Sequence, residues 1–171
     1  MTLPFRIQNT SSIIKTLYKE DIEDRYSKNW DTATKKDLSW LKKRDKKRRD
    51  VVAFFHQLDQ ITKAEDCHHA SLIFQHGETS SDYLSAHEFA EKAVELGDES
   101  AKWLVAATED RYLLSIGKAQ KYGTQFQRNG DGEWKLAEPI DPNITDGERA
   151  KYNVPPLSEA VEKYKEKYGM R

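Results

Sequence analysis

Two polar clusters carry the side chains whose types suit chemistry. The first is Asp66-Cys67-His68-His69-Ala70-Ser71-Leu72-Ile73-Phe74-Gln75-His76-Gly77, and the second is Gln120-Lys121-Tyr122-Gly123-Thr124-Gln125. Histidine changes charge near neutral pH, so an imidazole beside a carboxylate or a phenol can move protons. His69 and His76 are the candidate proton carriers, with Asp110 as the candidate catalytic carboxylate that orients one of them. Arg111 can hold an anionic group in a fork. Gln120, Tyr122 and Gln125 can donate hydrogen bonds to a developing oxyanion, and His68 and Gln75 complete the candidate substrate-binding set. For any one of these residues the plainer reading is structural: a histidine that caps or cross-links helices, or an Asp110-Arg111 buried pair. The recurrence of so many polar types near helix ends is what points to a pocket.

Helical geometry sharpens this. At about 100° per residue, His69 and His76 stand nearly in line two turns apart, and His68 and Gln75 form a second line a quarter-turn away. Burying such groups without partners costs about 1–3 kcal/mol each, so they are either exposed or met by a polar network. Asp110, Arg111, Gln120, Tyr122 and Gln125 are the candidates for that network, which requires both clusters to face one hollow. Metal binding is not expected, because histidines adjacent or seven apart do not converge on one ion as an i,i+4 pair does. Cys67 and His68 point about 100° apart, so a buried, inert thiol is expected rather than a nucleophile. No Gly-rich phosphate loop, Gly-x-Ser-x-Gly elbow or dinucleotide fingerprint is present, and no cofactor is expected. His56 and His87 have no recognisable polar company.

The elements that must position these residues are helical. Ile13, Ile14, Leu17 and Tyr18 predict a first helix, capped by Thr10, Ser11 or Ser12 and carrying an Asp21–Arg25 surface pair. Leu38, Trp40, Leu41, Val51, Val52, Phe54, Phe55 and Leu58 mark a long second helix, with Asp31 or Thr32 as its cap. Thr62 and Glu65 have capping-box spacing and predict a helix over 64–76, stopped by Gly77. Thr79, Ser80 or Ser81 opens a segment ending at Gly97, and Ser100 opens another ending at Gly117. The run Ala86…Ala90…Ala93…Leu96-Gly97…Ala101…Leu104…Ala107 resembles the helical pairs of tetratricopeptide and Sel1-like repeats, in which alanine allows close helix approach. It covers about one and a half repeats, fewer than the ~3 a solenoid needs.

After Gly117 the period changes to two. Thr124–Arg128 and Glu133–Ala137 flank Asn129-Gly130-Asp131-Gly132, a hairpin signal. A lone hairpin is marginal in water, so it must pack on the helices. Thr145 or Asp146 caps a short helix, and Leu157 to Tyr168 reads as a final amphipathic one. The expectation is therefore an all-α single domain over 1–171: an irregular arm over 1–9, a helical core over 10–117, a β-hairpin region over 118–140, and a loop and C-terminal helix over 141–171.

The chain has 171 residues, 37% hydrophobic and 33% charged, with 11% aromatic and a net charge of -1. That balance fits a folded domain with a highly charged surface, and it supplies no overall field for nucleic acid or anionic membrane. The run Lys42-Lys43-Arg44-Asp45-Lys46-Lys47-Arg48-Arg49-Asp50 suggests a nucleic-acid patch or a nuclear-import signal, but a solvated helix face with internal pairs such as Asp45–Arg49 is the preferred reading. No apolar run approaches a membrane span, the start lacks a signal-peptide core, and one cysteine fits a reducing compartment. A soluble, cytoplasmic protein is expected.

Three stretches taken together carry a family resemblance: His-Ala-x-Leu-Ile-Phe-Gln-His-Gly over 69–77, Ala-x-Trp-Leu-x-Ala-Ala-x-x-Asp-Arg over 101–111, and Gln-x-Tyr-Gly-Thr-Gln over 120–125. With Glu20-Asp21…Arg25 upstream and Thr145-Asp146…Val154-Pro155-Pro156-Leu157 downstream, the chain resembles an uncharacterised family of bacterial and fungal proteins filed as a domain of unknown function. The resemblance implies no reaction. It implies that Gln75, His76, Asp110, Arg111, Tyr122 and Gln125 form one feature. Two functions follow as expectations. One is a cofactor-independent acid/base enzyme acting on a small molecule, of lyase, isomerase or cyclase type. The other is a non-catalytic helical module that binds a protein or peptide.

Overall fold

Alanine sets how closely the central helices approach. A computed structural model describes residues 9–128 and 134–168. In it α3 (Ala64–Phe74), α4 (Ser80–Glu95) and α5 (Lys102–Ser115) stack side by side, with α4 between its neighbours. Ala70, Ala86, Ala90, Ala93, Ala106 and Ala107 are all buried along these contacts. The larger side chains Ile73, Phe74, Phe89, Leu104 and Val105 fill the space between. α1 (Thr10–Tyr26) and α2 (Lys35–Gln57) lie against α3 and against each other. Ile14, Val52 and Phe55 join the α3–α4 core there.

Local sequence explains most of the helix starts. Thr34 with Asp37, Thr79 with Asp82, and Thr145 with Glu148 form reciprocal capping boxes for α2, α4 and α6 (Asp146–Lys151). Four starts differ from expectation. α5 follows Ala101 without a side-chain cap, and Ser100 lies inside a 3-10 turn, Glu99–Ala101, that Asp98 caps. α1 begins after Asn9, which is left-handed at φ 82 and makes no side-chain cap, so Thr10, Ser11 and Ser12 lie inside the helix. Asp31 and Thr32 belong to a short 3-10 turn, Trp30–Thr32, that precedes the true cap. α3 begins after Lys63 without a side-chain cap; Thr62 stands one residue too early to serve it.

The α1–α2 contact changes character along its length. Ile14, Val52 and Phe55 pack at its apolar end, but farther along the buried positions are Asp21 and Asp24 on α1 and Asp45, Arg48 and Arg49 on α2. The expected solvated face over 42–49 is thus half interior. Leu38, Trp40, Phe54 and Leu58, expected as apolar contacts, are exposed.

β1 (Phe126–Arg128) pairs antiparallel with β2 (Trp134–Leu136), in the register Phe126↔Leu136, Gln127↔Lys135 and Arg128↔Trp134. The Asn129-Gly130-Asp131-Gly132 turn lies outside the described residues, as do residues 1–8 of the expected arm. The hairpin is braced on α7 (Leu157–Tyr168), where Phe126 stacks on Tyr164 with centroids 3.4 Å apart. Among the described residues no helix is long and apolar enough to cross a membrane.

Candidate functional site

α3 ends at a junction of four helices, and a cleft of about 490 Å³ opens there. Arg25 of α1, Leu38, Lys42 and Asp45 of α2, Gln75 to Glu78 of the α3–α4 turn, Tyr83 of α4 and Arg111 of α5 line it. The turn is tight because Gly77 admits no side chain: a Cβ there would stand 2.1 Å from Asp82 Cβ. Asp82 is the carboxylate that caps α4, and Tyr83 Oη donates to the Gly77 carbonyl at 3.0 Å. The free carbonyls at the α3 C-terminus attract cations. Arg111 Nη1 donates to Gln75 O at 2.7 Å, and Arg49 Nη1 donates to His76 O at 3.0 Å.

His76 is held between two charged groups. Its Nε2 accepts from Arg25 Nε at 3.1 Å. Its Nδ1 lies 3.1 Å from Asp21 Oδ2, in ion-pair range but out of line for a good hydrogen bond. Burial pushes the His76 pKa down, against the pull of the Asp21 carboxylate, so the imidazole is neutral at neutral pH. The carboxylate beside the ring is Asp21, and the expected partner Asp110 is elsewhere.

Behind His76 lies a cluster of ions that sequence reasoning missed. Arg25 donates from Nη1 and Nη2 to Asp45 at 3.2 and 3.1 Å, and Arg44 Nε donates to Asp24 at 2.6 Å. Arg48, only 2% exposed, reaches Asp24 at 2.6 Å, Asp45 at 2.5 Å and Asp21 at 3.3 Å. Burial opposes the charge on Asp45, but Arg25 and Arg48 hold its carboxyl below the usual range. Arg49 turns the other way, with its Nε 3.3 Å from Asp82 Oδ1, so the expected Asp45–Arg49 pair is replaced by contacts between helices. One signal was available: Asp21, Asp24 and Arg25 repeat at helical spacing on α1, as Asp45, Arg48 and Arg49 do on α2, where residues 42–50 hold no apolar side chain.

Arg111 stands differently. Its Nε donates to Gln125 Oε1 at 3.1 Å, and among the described residues no carboxylate lies within ion-pair range. Burial lowers its pKa, yet a guanidinium stays protonated at any ordinary pH. Gln125 is aimed in turn by its own bonds, with Nε2 donating to Ala107 O at 2.9 Å. Gln125 is thus a support for Arg111 and is not among the cleft residues.

Asp110 and the 120–125 segment are interior. Asp110 is fully buried and accepts from the backbone N–H of Lys121, Tyr122 and Thr124 and from the Thr124 hydroxyl, at 2.6–2.9 Å. Burial nevertheless pushes its pKa up, against those hydrogen bonds. Its place is to fold the segment around itself, and it meets no imidazole. Gln120, also fully buried, donates to the carbonyls of Ala137 and Gln125 and accepts from Gln125 N–H at 2.9 Å. Tyr122 is 1% exposed and packs on Tyr152. The chain turns there at Gly123, φ 71, where a Cβ would meet Leu157 Cδ1 at 2.7 Å and Arg149 Nη1 at 3.1 Å.

His68 and His69 line a second cleft of about 390 Å³ toward the start of α3, with Tyr18, Glu65 and Asp98. His68 Nδ1 is 2.6 Å from Asp98 Oδ2. His69 stacks on Tyr18 with centroids 4.3 Å apart, and burial pushes its pKa down. The single expected hollow is therefore two: His76, Gln75 and Arg111 share one, and His68 and His69 the other. His56 packs edge-on against Phe89, and His87 Nδ1 sits 3.2 Å from Val105 O. Among the described residues no group of three or more His, Cys, Asp or Glu is arranged to hold a metal ion. No family model matches the sequence, and no curated protein or solved structure is significantly similar to it.

Proposed function

We propose that the chain is an acid/base enzyme acting on a small anionic molecule, of lyase, isomerase or cyclase type, in the cleft at the end of α3. The observation that carries this is Arg111: a largely buried guanidinium that faces a cleft without a carboxylate partner among the described residues. Every other arginine of the cleft region is neutralised by aspartate. An unmatched guanidinium held by Gln125 and the Gln75 carbonyl is pre-set to fork onto a carboxylate or phosphate.

His76 is the proton acceptor. Its neutral ring presents Nε2 to Arg25 Nε, so that N–H must first swing off Nε2, with Arg25 pivoting on its Asp45 pair, before Nε2 takes a substrate proton. The resulting imidazolium is stabilised by Asp21, 3.1 Å from Nδ1. His68 and His69, in the other cleft, take no part.

The test is a ligand screen followed by two variants. Small carboxylates and phosphates are titrated by ligand-observed NMR, and a bound compound is followed for conversion. Arg111→Met abolishes binding; His76→Gln preserves binding and abolishes turnover. Ligands that bind equally well to Arg111→Met overturn the reading. The interaction-module reading takes its place if substitutions at exposed Leu38 and Trp40 abolish capture of a protein partner while His76→Gln does not.

A further inference from the structure

α2 sorts its basic residues by type. Arg44, Arg48 and Arg49 turn toward carboxylates of α1, α2 and α4. Lys35, Lys42, Lys43 and Lys46 turn the other way and line a groove of about 420 Å³, with Glu78 as its one carboxylate among the described residues. This groove is continuous with the Arg111 cleft, because Leu38, Lys42 and Glu78 line both. Two of its lysines are paired. Lys42 lies 2.5 Å from Glu78 and Lys46 lies 2.7 Å from Asp50, with every partner at least half exposed. Pairs so exposed contribute little and exchange readily for an incoming anion. Lys35 and Lys43 have no carboxylate in ion-pair range among the described residues. Lys42 and Lys46 stand one turn apart, and Lys35 to Lys46 spans roughly 16 Å of helix.

We infer that the molecule taken by this site is an elongated oligoanion: one anionic group seats at Arg111, and a second, phosphate-like group lies along the lysine groove. This rests on the Arg111 reading above and adds to it the length and charge of the ligand. A compact monoanion would leave the groove unused, whereas a chain of phosphates would meet successive ammonium groups along one helix face. Lys42 and Glu78 mark the join, where an arriving anion displaces Glu78 from Lys42.

Orthophosphate and tripolyphosphate, titrated by calorimetry at low salt, separate the two claims. Tripolyphosphate is expected to bind at least tenfold tighter than orthophosphate. Lys43→Gln combined with Lys46→Gln, both at exposed positions outside the Arg111 cleft, removes that gain and leaves orthophosphate affinity unchanged. Arg111→Met weakens both ligands. Equal affinity for the two phosphates, or a gain that survives the lysine changes, overturns the groove inference; orthophosphate binding that still needs Arg111 then leaves the earlier reading standing. If the lysine changes abolish binding while Arg111→Met does nothing, the Arg111 seat is wrong, and the shared site falls with it. A single-stranded oligonucleotide that binds more tightly than tripolyphosphate, with a steep salt dependence, also overturns the inference.

Discussion

Arg48→Met is the substitution that most directly tests how α1 and α2 are held together. Methionine keeps much of the stem and removes only the guanidinium, which is 2% exposed and serves Asp21, Asp24 and Asp45 at 2.5–3.3 Å. Removing one partner of a buried ion pair costs about 3–5 kcal/mol, because the remaining charge is left without compensation. In a chain of this length about 1 kcal/mol moves Tm by ~2–4 °C, so the expected fall is about 6–20 °C at pH 7. Lys46→Met on the same helix is the control. Its pair with Asp50 has side chains 69% and 61% exposed, so the loss should be below about 1 kcal/mol. Circular-dichroism melts of the two variants give the comparison directly. Asp45 adds a pH dependence. Its depressed carboxyl contributes stability that is present above the unfolded value, about pH 4, and lost as pH falls through the native one. Without Arg48 that contribution shrinks, so the gap between variant and parent narrows below about pH 4. An Arg48→Met variant no less stable than Lys46→Met would mean that water compensates the cluster, and the argument for an ionic seam would fail.

Gly77→Ala places a Cβ 2.1 Å from Asp82 Cβ, so the turn must shift and α4 loses its cap; we expect a loss of about 1–3 kcal/mol in urea unfolding, and an unchanged midpoint would contradict the close packing. Cys67 is fully buried and its thiol is pushed up to about 11 by burial, so an aromatic disulfide reagent at pH 8 should label it only in denaturant. His69 and His76 are both pushed down by burial, so their share of stability is complete above about pH 6.5 and declines as pH drops toward their lower native values. Urea midpoints between pH 7.5 and 5 should therefore fall with acid, and His76→Gln should flatten that slope.

What sequence revealed and what it concealed follow one physical division. Helices whose signals are local were legible: α7 spans the predicted Leu157–Tyr168, and the Thr79–Asp82 and Thr145–Glu148 boxes stand where capping residues were expected. Thr62–Glu65 had the right spacing but the wrong phase, because α3 starts one residue later. Interactions between elements depend on partners distant in sequence. Charge pairing along one helix predicted Asp45–Arg49, whereas the fold pairs Asp45 with Arg48 and, across the interface, with Arg25. The amides and phenol of the 120–125 cluster are chemically capable of serving a ligand. Its hydrogen bonds instead close the segment on Asp110 and on the β2 side. His76 and Arg111, both chemically conspicuous in sequence, share a cleft, but their supports Asp21, Arg25 and Gln125 are set by the fold. Gln125, conspicuous too, acts one step behind the cleft.

The cleft straddles two kinds of packing, and that gives acid a place to begin. Arg25 and Asp45 come to it from the charged α1–α2 seam, while Tyr83 and Arg111 come from the alanine-lined stack of α4 and α5. At a pH low enough to neutralise aspartates, the seam keeps its arginines and loses what balances them, whereas contact between apolar helices is indifferent to protons. The molecule should then part along this line, with one wall of the cleft carried away from the other while most of its helix content survives.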